Sequence, residues 1–164
     1  MASTSGLVSS SIDFYYVSNS LFISIDDPSP SHQHLCLSSI YIGGASSGPF
    51  VYFFPCDAER VLRLDFRLFE LELVGPSLLD GENKFQNGFA GRDGCLYGIP
   101  QRATGILRVE PGYLTGQTED YVDILPIESM KDVKDKFEGG VMGGDGNIFC
   151  VPLRSEAAIK VVIP

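Results

Sequence analysis

Residues 136–152 read KFEGGVMGGDGNIFCVP, five glycines beside one lysine and one Asp-Gly pair. Two structures want glycine in this density: a loop that wraps a phosphate, or a β-hairpin whose backbone must turn and pack closely. A phosphate loop needs Gly-Lys-Ser/Thr running into a helix, so that backbone N–H groups and the lysine converge on the anion. Here Lys136 precedes the glycines, and an apolar β-type run ending at Pro152 follows them. The hairpin reading therefore stands. Residues 139–143 form a short strand, Asp145-Gly146 a tight primed turn, and residues 147–152 a second strand, closed by a proline that cannot donate to the ladder.

The same stretch occurs 52 residues upstream. Residues 84–109, KFQNGFAGRDGCLYGIPQRATGILRV, align without a gap on residues 136–161, KFEGGVMGGDGNIFCVPLRSEAAIKV, and nine of 26 positions are identical. Chance would give roughly two. The identities include Lys84/Lys136, Gly88/Gly140, Asp93/Asp145, Gly94/Gly146, Pro100/Pro152 and Arg102/Arg154. A third copy lies in residues 43–66, where Gly43-Gly44 precede VYFFP and Pro55 takes the place of Pro100. Residues 12–27 hold a degraded fourth copy with Tyr16 in the proline position.

Each copy predicts more than a hairpin. AIKVVI (158–163) supplies a third strand, and the linkers RLFELELVG (67–75) and EDYVDILPI (119–127) alternate with period two, as a fourth strand does. Four antiparallel strands per 45 to 52 residues is the size of one propeller blade. The expected fold is all-β, with four-stranded blades of a small, partial or degenerate β-propeller. The boundaries are a Ser-rich tail at 1–11 and a repeat domain at 12–164, with units near 12–39, 40–83, 84–135 and 136–164. Helix is expected only as a turn or two within 126–137, capped by Ser129.

On these motifs the chain resembles β-propeller repeat proteins built from units of the form Lys-aromatic-x-Gly-Gly, Asp-Gly-x-Ile-Tyr-x-Ile-Pro and Val-Leu-x-Ile-Asp. Such units are loosely similar to kelch repeats in placing a Gly-Gly pair before an aromatic strand, although this chain has no Trp. The resemblance covers residues 40–164 and implies a scaffold that binds through blade edges and loops. A closed propeller needs roughly four to eight blades. The ring is thus closed by the N-terminal segment, by another chain, or by the rest of a longer repeat protein of which this is a fragment.

Composition narrows the function. A net charge of −9 with Lys and Arg absent before Arg60 excludes a phosphate-neutralising surface, so nucleic acid is not an expected partner. No apolar run reaches the roughly 18 to 20 residues of a membrane helix. The N-terminus lacks the basic and sustained apolar regions of a secretory signal, and the expected location is cytoplasmic. Cys36, Cys56, Cys95 and Cys150 are widely spaced without a C-x-x-C pair, which points to free thiols and not to zinc or a disulfide framework.

Site candidates are few. His32, His34 and Cys36 alternate along an extended segment and are the weak metal candidates, without a further histidine to close a site. Asp26, Asp27, Asp57 and Asp65 would serve a rival reading, a propeller hydrolase or lactonase with a metal or carboxylate pair in a central channel. Asp93 and Asp145 read as turn formers, since calcium wants six or more oxygens. Cys95 and Cys150 read as small apolar filler, and no Ser-His-Asp set is supported. No catalytic residue or cofactor is expected. The structural repeat residues are Gly43, Gly44, Pro55, Gly88, Asp93, Gly94, Pro100, Gly140, Asp145, Gly146 and Pro152, and the expected partner is a protein or a second copy of the chain.

Overall fold

The computed structural model describes residues 12–17, 20–25, 35–36, 41–78 and 81–164, with side chains from residue 41 onward. The chain divides into a unit of residues 1–38 and a unit of residues 39–164. In the first unit, β1 (Ile12–Val17), β2 (Ser20–Ile25) and β3 (Leu35–Cys36) form one antiparallel sheet in that order. Its hairpin register pairs Ile12 with Ile25 and Val17 with Ser20.

The second unit is three successive antiparallel meanders. The first sheet is β4 (Tyr41–Ser47), β5 (Phe50–Pro55), β6 (Val61–Asp65) and β7 (Glu70–Val74). The second is β8 (Phe85–Ala90), β9 (Leu96–Pro100), β10 (Gly105–Glu110) and β11 (Tyr121–Pro126). The third is β12 (Phe137–Met142), β13 (Ile148–Pro152) and β14 (Ile159–Val161). The chain is all-β with antiparallel blade-like sheets. Among the described residues helix is confined to one turn, α1 (Gly112–Thr115), ended by Gly116 in the left-handed region, and a 3-10 turn at Glu128–Met130.

The first strand of each sheet in the second unit carries the same bulge. Pairing slips between Tyr41 and Gly44, between Phe85 and Gly88, and between Phe137 and Gly140. The extra residue sits at positive φ each time: Gly43 at 74°, Asn87 at 59° and Gly139 at 105°. Such a bulge wants glycine, and asparagine is the side chain that tolerates it best. Asn87 Oδ1 accepts a hydrogen bond from its neighbour Gly88 N at 2.8 Å.

The Asp-Gly turns differ from the tight primed form expected from sequence. Five residues, 91–95, separate β8 from β9, and Gly94 N donates to Gly91 O at 3.0 Å with Gly94 alone of the loop at positive φ, 82°. Residues 143–147 repeat this, with Gly146 at 74°. The reason lies in the carboxylates. Asp93 Oδ1 accepts from Cys95 N and Asp145 Oδ1 from Asn147 N, so each aspartate folds the chain through its side chain and needs no left-handed backbone itself.

The cores lie between sheets. Tyr52, Phe54, Val61 and Val74 of the first sheet meet Phe85, Leu96, Leu107 and Val109 of the second. Tyr97, Ile99 and Ile106 on the opposite face of the second meet Phe137, Ile148, Cys150 and Ile163. Strand β9, LYGIP, is consequently buried at every residue. Strand β13, IFCVP, is buried only at alternate positions.

Candidate functional site

The register shows which residues share a face of each sheet. In the first sheet Ala45, Tyr52 and Arg63 lie opposite one another across three strands. Phe89, Tyr97 and Arg108 do the same in the second, and Val141, Phe149 and Lys160 in the third. Two residues beyond each aromatic stand Phe54, Ile99 and Val151, on the same face because strand side chains alternate.

On the first two sheets this face is sealed. Phe54 and Ile99 are both 0% exposed, Tyr52 is fully buried and Tyr97 nearly so. On the third sheet Val151 is 44% exposed, with Val141 at 55%, Val162 at 69% and Leu153 at 48%. Phe149 is half-buried, its ring 5.4 Å beneath the Lys160 ammonium.

Glycine makes the sealed interfaces possible. A Cβ on Gly88 would run into the Phe54 ring, and one on Gly140 would stand 3.4 Å from Ile99 Cδ1. Each covering strand thus brings bare backbone down onto the apolar side chain of the sheet before it.

A backbone clasp closes each junction. Lys84 N donates to Cys56 O at 2.9 Å, and Lys136 N donates to Gln101 O at 2.8 Å. The preceding residues, Asn83 and Asp135, are both at positive φ, 55° and 52°. Both lysine side chains are buried: Lys84 Nζ donates to Gly81 O at 2.8 Å, and Lys136 Nζ reaches Arg102 O at 3.4 Å. Burial pushes the Lys136 ammonium below its usual range, against the raising effect of Asp132 and Asp135. Sequence reading marked both lysines as repeated but not as buried, since lysine is rarely enclosed.

Other features are charged and local. Arg63 spans the first junction to Asp120 at 2.8 Å and also pairs with Glu72, and the Asp120 side chain is almost fully enclosed. Asp145 takes a 2.8 Å bond from Lys160 Nζ in addition to its turn bonds, and these hold its carboxyl well below the ordinary carboxylate range. A cavity of about 720 Å³ is lined by Leu78, Phe85 and Ile124 and rimmed by Arg102 and Lys134.

Of the sequence candidates, His32 and His34 lie outside the described residues, and Cys36 is described only as the backbone end of β3. Asp26 and Asp27 also lie outside. Asp57 Oδ1 accepts from Asn83 N, and Asp65 is bound by Arg67, so the structure does not bring these two together. Cys56, Cys95 and Cys150 are free and buried, and burial pushes each thiol up to about 11. Among the described residues no three of His, Cys, Asp and Glu gather as metal ligands would, and no helix is long and apolar enough to cross a membrane.

No known protein family matches the chain by sequence, and no curated protein does. Solved structures do match its shape. A streptogramin B lyase superposes with a TM-score of 0.52 at 12% identity over 92% of this chain. The virginiamycin B lyase from Staphylococcus aureus gives 0.51 at 13% identity over 92%, and a catalytically inactive variant of it with quinupristin gives 0.50 at 12% over 96%. These neighbours are β-propellers, and the fold of this chain is of propeller type. The chain spans 54 to 57% of the length of those proteins.

Proposed function

We propose that this chain is a non-catalytic scaffold of the propeller class, with kelch-like units, that binds a protein partner through the open face of its third sheet. The observation that supports this most directly is the exposure of Val151, whose counterparts Phe54 and Ile99 in the other two sheets are sealed, together with the exposure of Val141 and Val162. A contiguous apolar face is a mark of an interaction surface. Two cations near it are paired, Lys160 with Asp145 and Arg154 with Asp135. The cytoplasm is the proposed compartment.

The test is affinity capture from the source cell's extract with the wild type and with the Val151→Asp and Leu153→Asp variants, each at matched thermal stability. A partner held by the wild type and lost by both variants is expected. Equal retention by all three overturns the reading.

One finding favours a second reading. The propellers of similar shape are named as lyases, so a propeller enzyme is the rival, although at 12 to 13% identity the likeness reaches the fold alone. A divalent-cation titration followed by thermal melting decides: a saturable rise in Tm would favour the enzyme. The third reading, a fragment of a longer repeat protein, accords with the share of the neighbours' length that the chain spans.

A further inference from the structure

The two junctions inside the unit define what fits the third face. At each, a covering strand supplies an aromatic, a left-handed bulge and a glycine, in that order: Phe85, Asn87 and Gly88 over Phe54, then Phe137, Gly139 and Gly140 over Ile99. Leu153 continues the series of Cys56 and Gln101, whose carbonyls accept the clasping N–H, and among the described residues no backbone N–H reaches Leu153 O.

Within the unit, β8 and β12 are already engaged in this way. Strand β4 has the same elements in Tyr41, Gly43 and Gly44, and as the first strand of the unit it has no earlier sheet of the unit beneath it. Tyr41 and Gly44 are half-buried, whereas Phe85 and Gly88 are buried.

We propose that the open face of the third sheet is covered by β4 of a second copy of this chain, whose Gly44 lies over Val151 as Gly88 lies over Phe54. This rests on the reading of that face as an interaction surface, and it names the occupant.

Three observations support it. The interface continues, one step further, a junction the chain already makes twice. Residues 41–50 carry no charge, so the seated strand brings no ion of its own to Val141, Val151 and Val162. The contact is head-to-tail, and a second such contact closes two copies into a ring.

The experiment is light scattering on the full chain over a concentration series, joined to hydrogen exchange. A mass twice the 17.8 kDa chain is expected, with protection gained together in residues 41–47 and 148–153 as concentration rises. Val151→Asp should weaken the pair by more than about tenfold, because it buries an unpaired carboxylate. Mixing Val151→Asp with Tyr41→Glu copies should restore pairing through the one intact contact that mixture retains. A monomer at every concentration overturns the proposal. So does protection of residues 148–153 alone, which marks a face-to-face dimer, or growth into filaments, which marks a contact that does not close. A monomer that still loses a captured partner on Val151→Asp leaves the scaffold reading standing, while a monomer with no partner removes both.

Discussion

The Phe54 ring occupies the space that a side chain on Gly88 would need, so the second sheet can seat on the first only where its inner strand is bare. Gly140 over Ile99 repeats the relationship with more room, its nearest contacts being Phe149 O at 2.9 Å and Ile99 at 3.4 Å. Gly88→Ala should therefore cost about 1–3 kcal/mol by overpacking and Gly140→Ala less. Urea unfolding of the two variants checks the order, and an equal or reversed cost would contradict the tight fit at Gly88.

Ile99 and Val151 hold equivalent places in the repeat, but one is sealed and the other is open. Truncating Ile99 to Ala should cost about 2–5 kcal/mol, as loss of a buried aliphatic does. Truncating Val151 to Ala should change the stability of the dilute monomer by less than about 0.5 kcal/mol. Chemical denaturation at low protein concentration measures both.

Asp65 is bonded by the Arg67 guanidinium and accepts the Arg67 N–H, which lowers its pKa from 3.8 to about 2. A carboxyl whose folded pKa is depressed contributes stability that is present above its unfolded pKa and is lost as pH falls through the folded one. The contribution of Asp65 should thus disappear between pH 3.8 and about 2. Asp65→Asn should lower Tm at pH 6 and flatten its fall across that window, as differential scanning fluorimetry would record.

Cys56, Cys95 and Cys150 have thiols raised to about 11 by burial, so little reactive thiolate exists near neutral pH. In a Cys36→Ser background, a disulfide reagent at pH 8 should label none of the three rapidly in the native state and all three in denaturant. Fast labelling of Cys150 in the native protein would show that the junction between the second and third sheets opens readily.

Much of this architecture was legible because each strand carries its own local signals: alternation in ELELV, a proline at the end of β5, β9 and β13, and a glycine pair at the head of the first and third sheets of the second unit. The wider Asp-Gly turns were not, since the aspartate side chain competes for the backbone N–H that a two-residue turn would leave alone. The short α1 turn, between Pro111 and Gly116, has too few residues to show a period. The open face was invisible for a deeper reason. LYGIP and IFCVP have the same apolar pattern, and only the presence of a following sheet makes Ile99 core and leaves Val151 bare. The buried lysines escaped for the same reason, because their enclosure comes from the neighbouring sheet's loop.

The clasps from Lys84 to Cys56 and from Lys136 to Gln101 set a mechanical order on the molecule. The second and third sheets are each latched at their entry to the residue that follows the second strand of the sheet before, and stability in such an array is a sum of unit and nearest-neighbour terms. The third sheet has one latch within the unit and the second has two. Under tension applied at the C-terminus, the third sheet should peel first, then the second, giving a stepped extension trace in place of a single rupture.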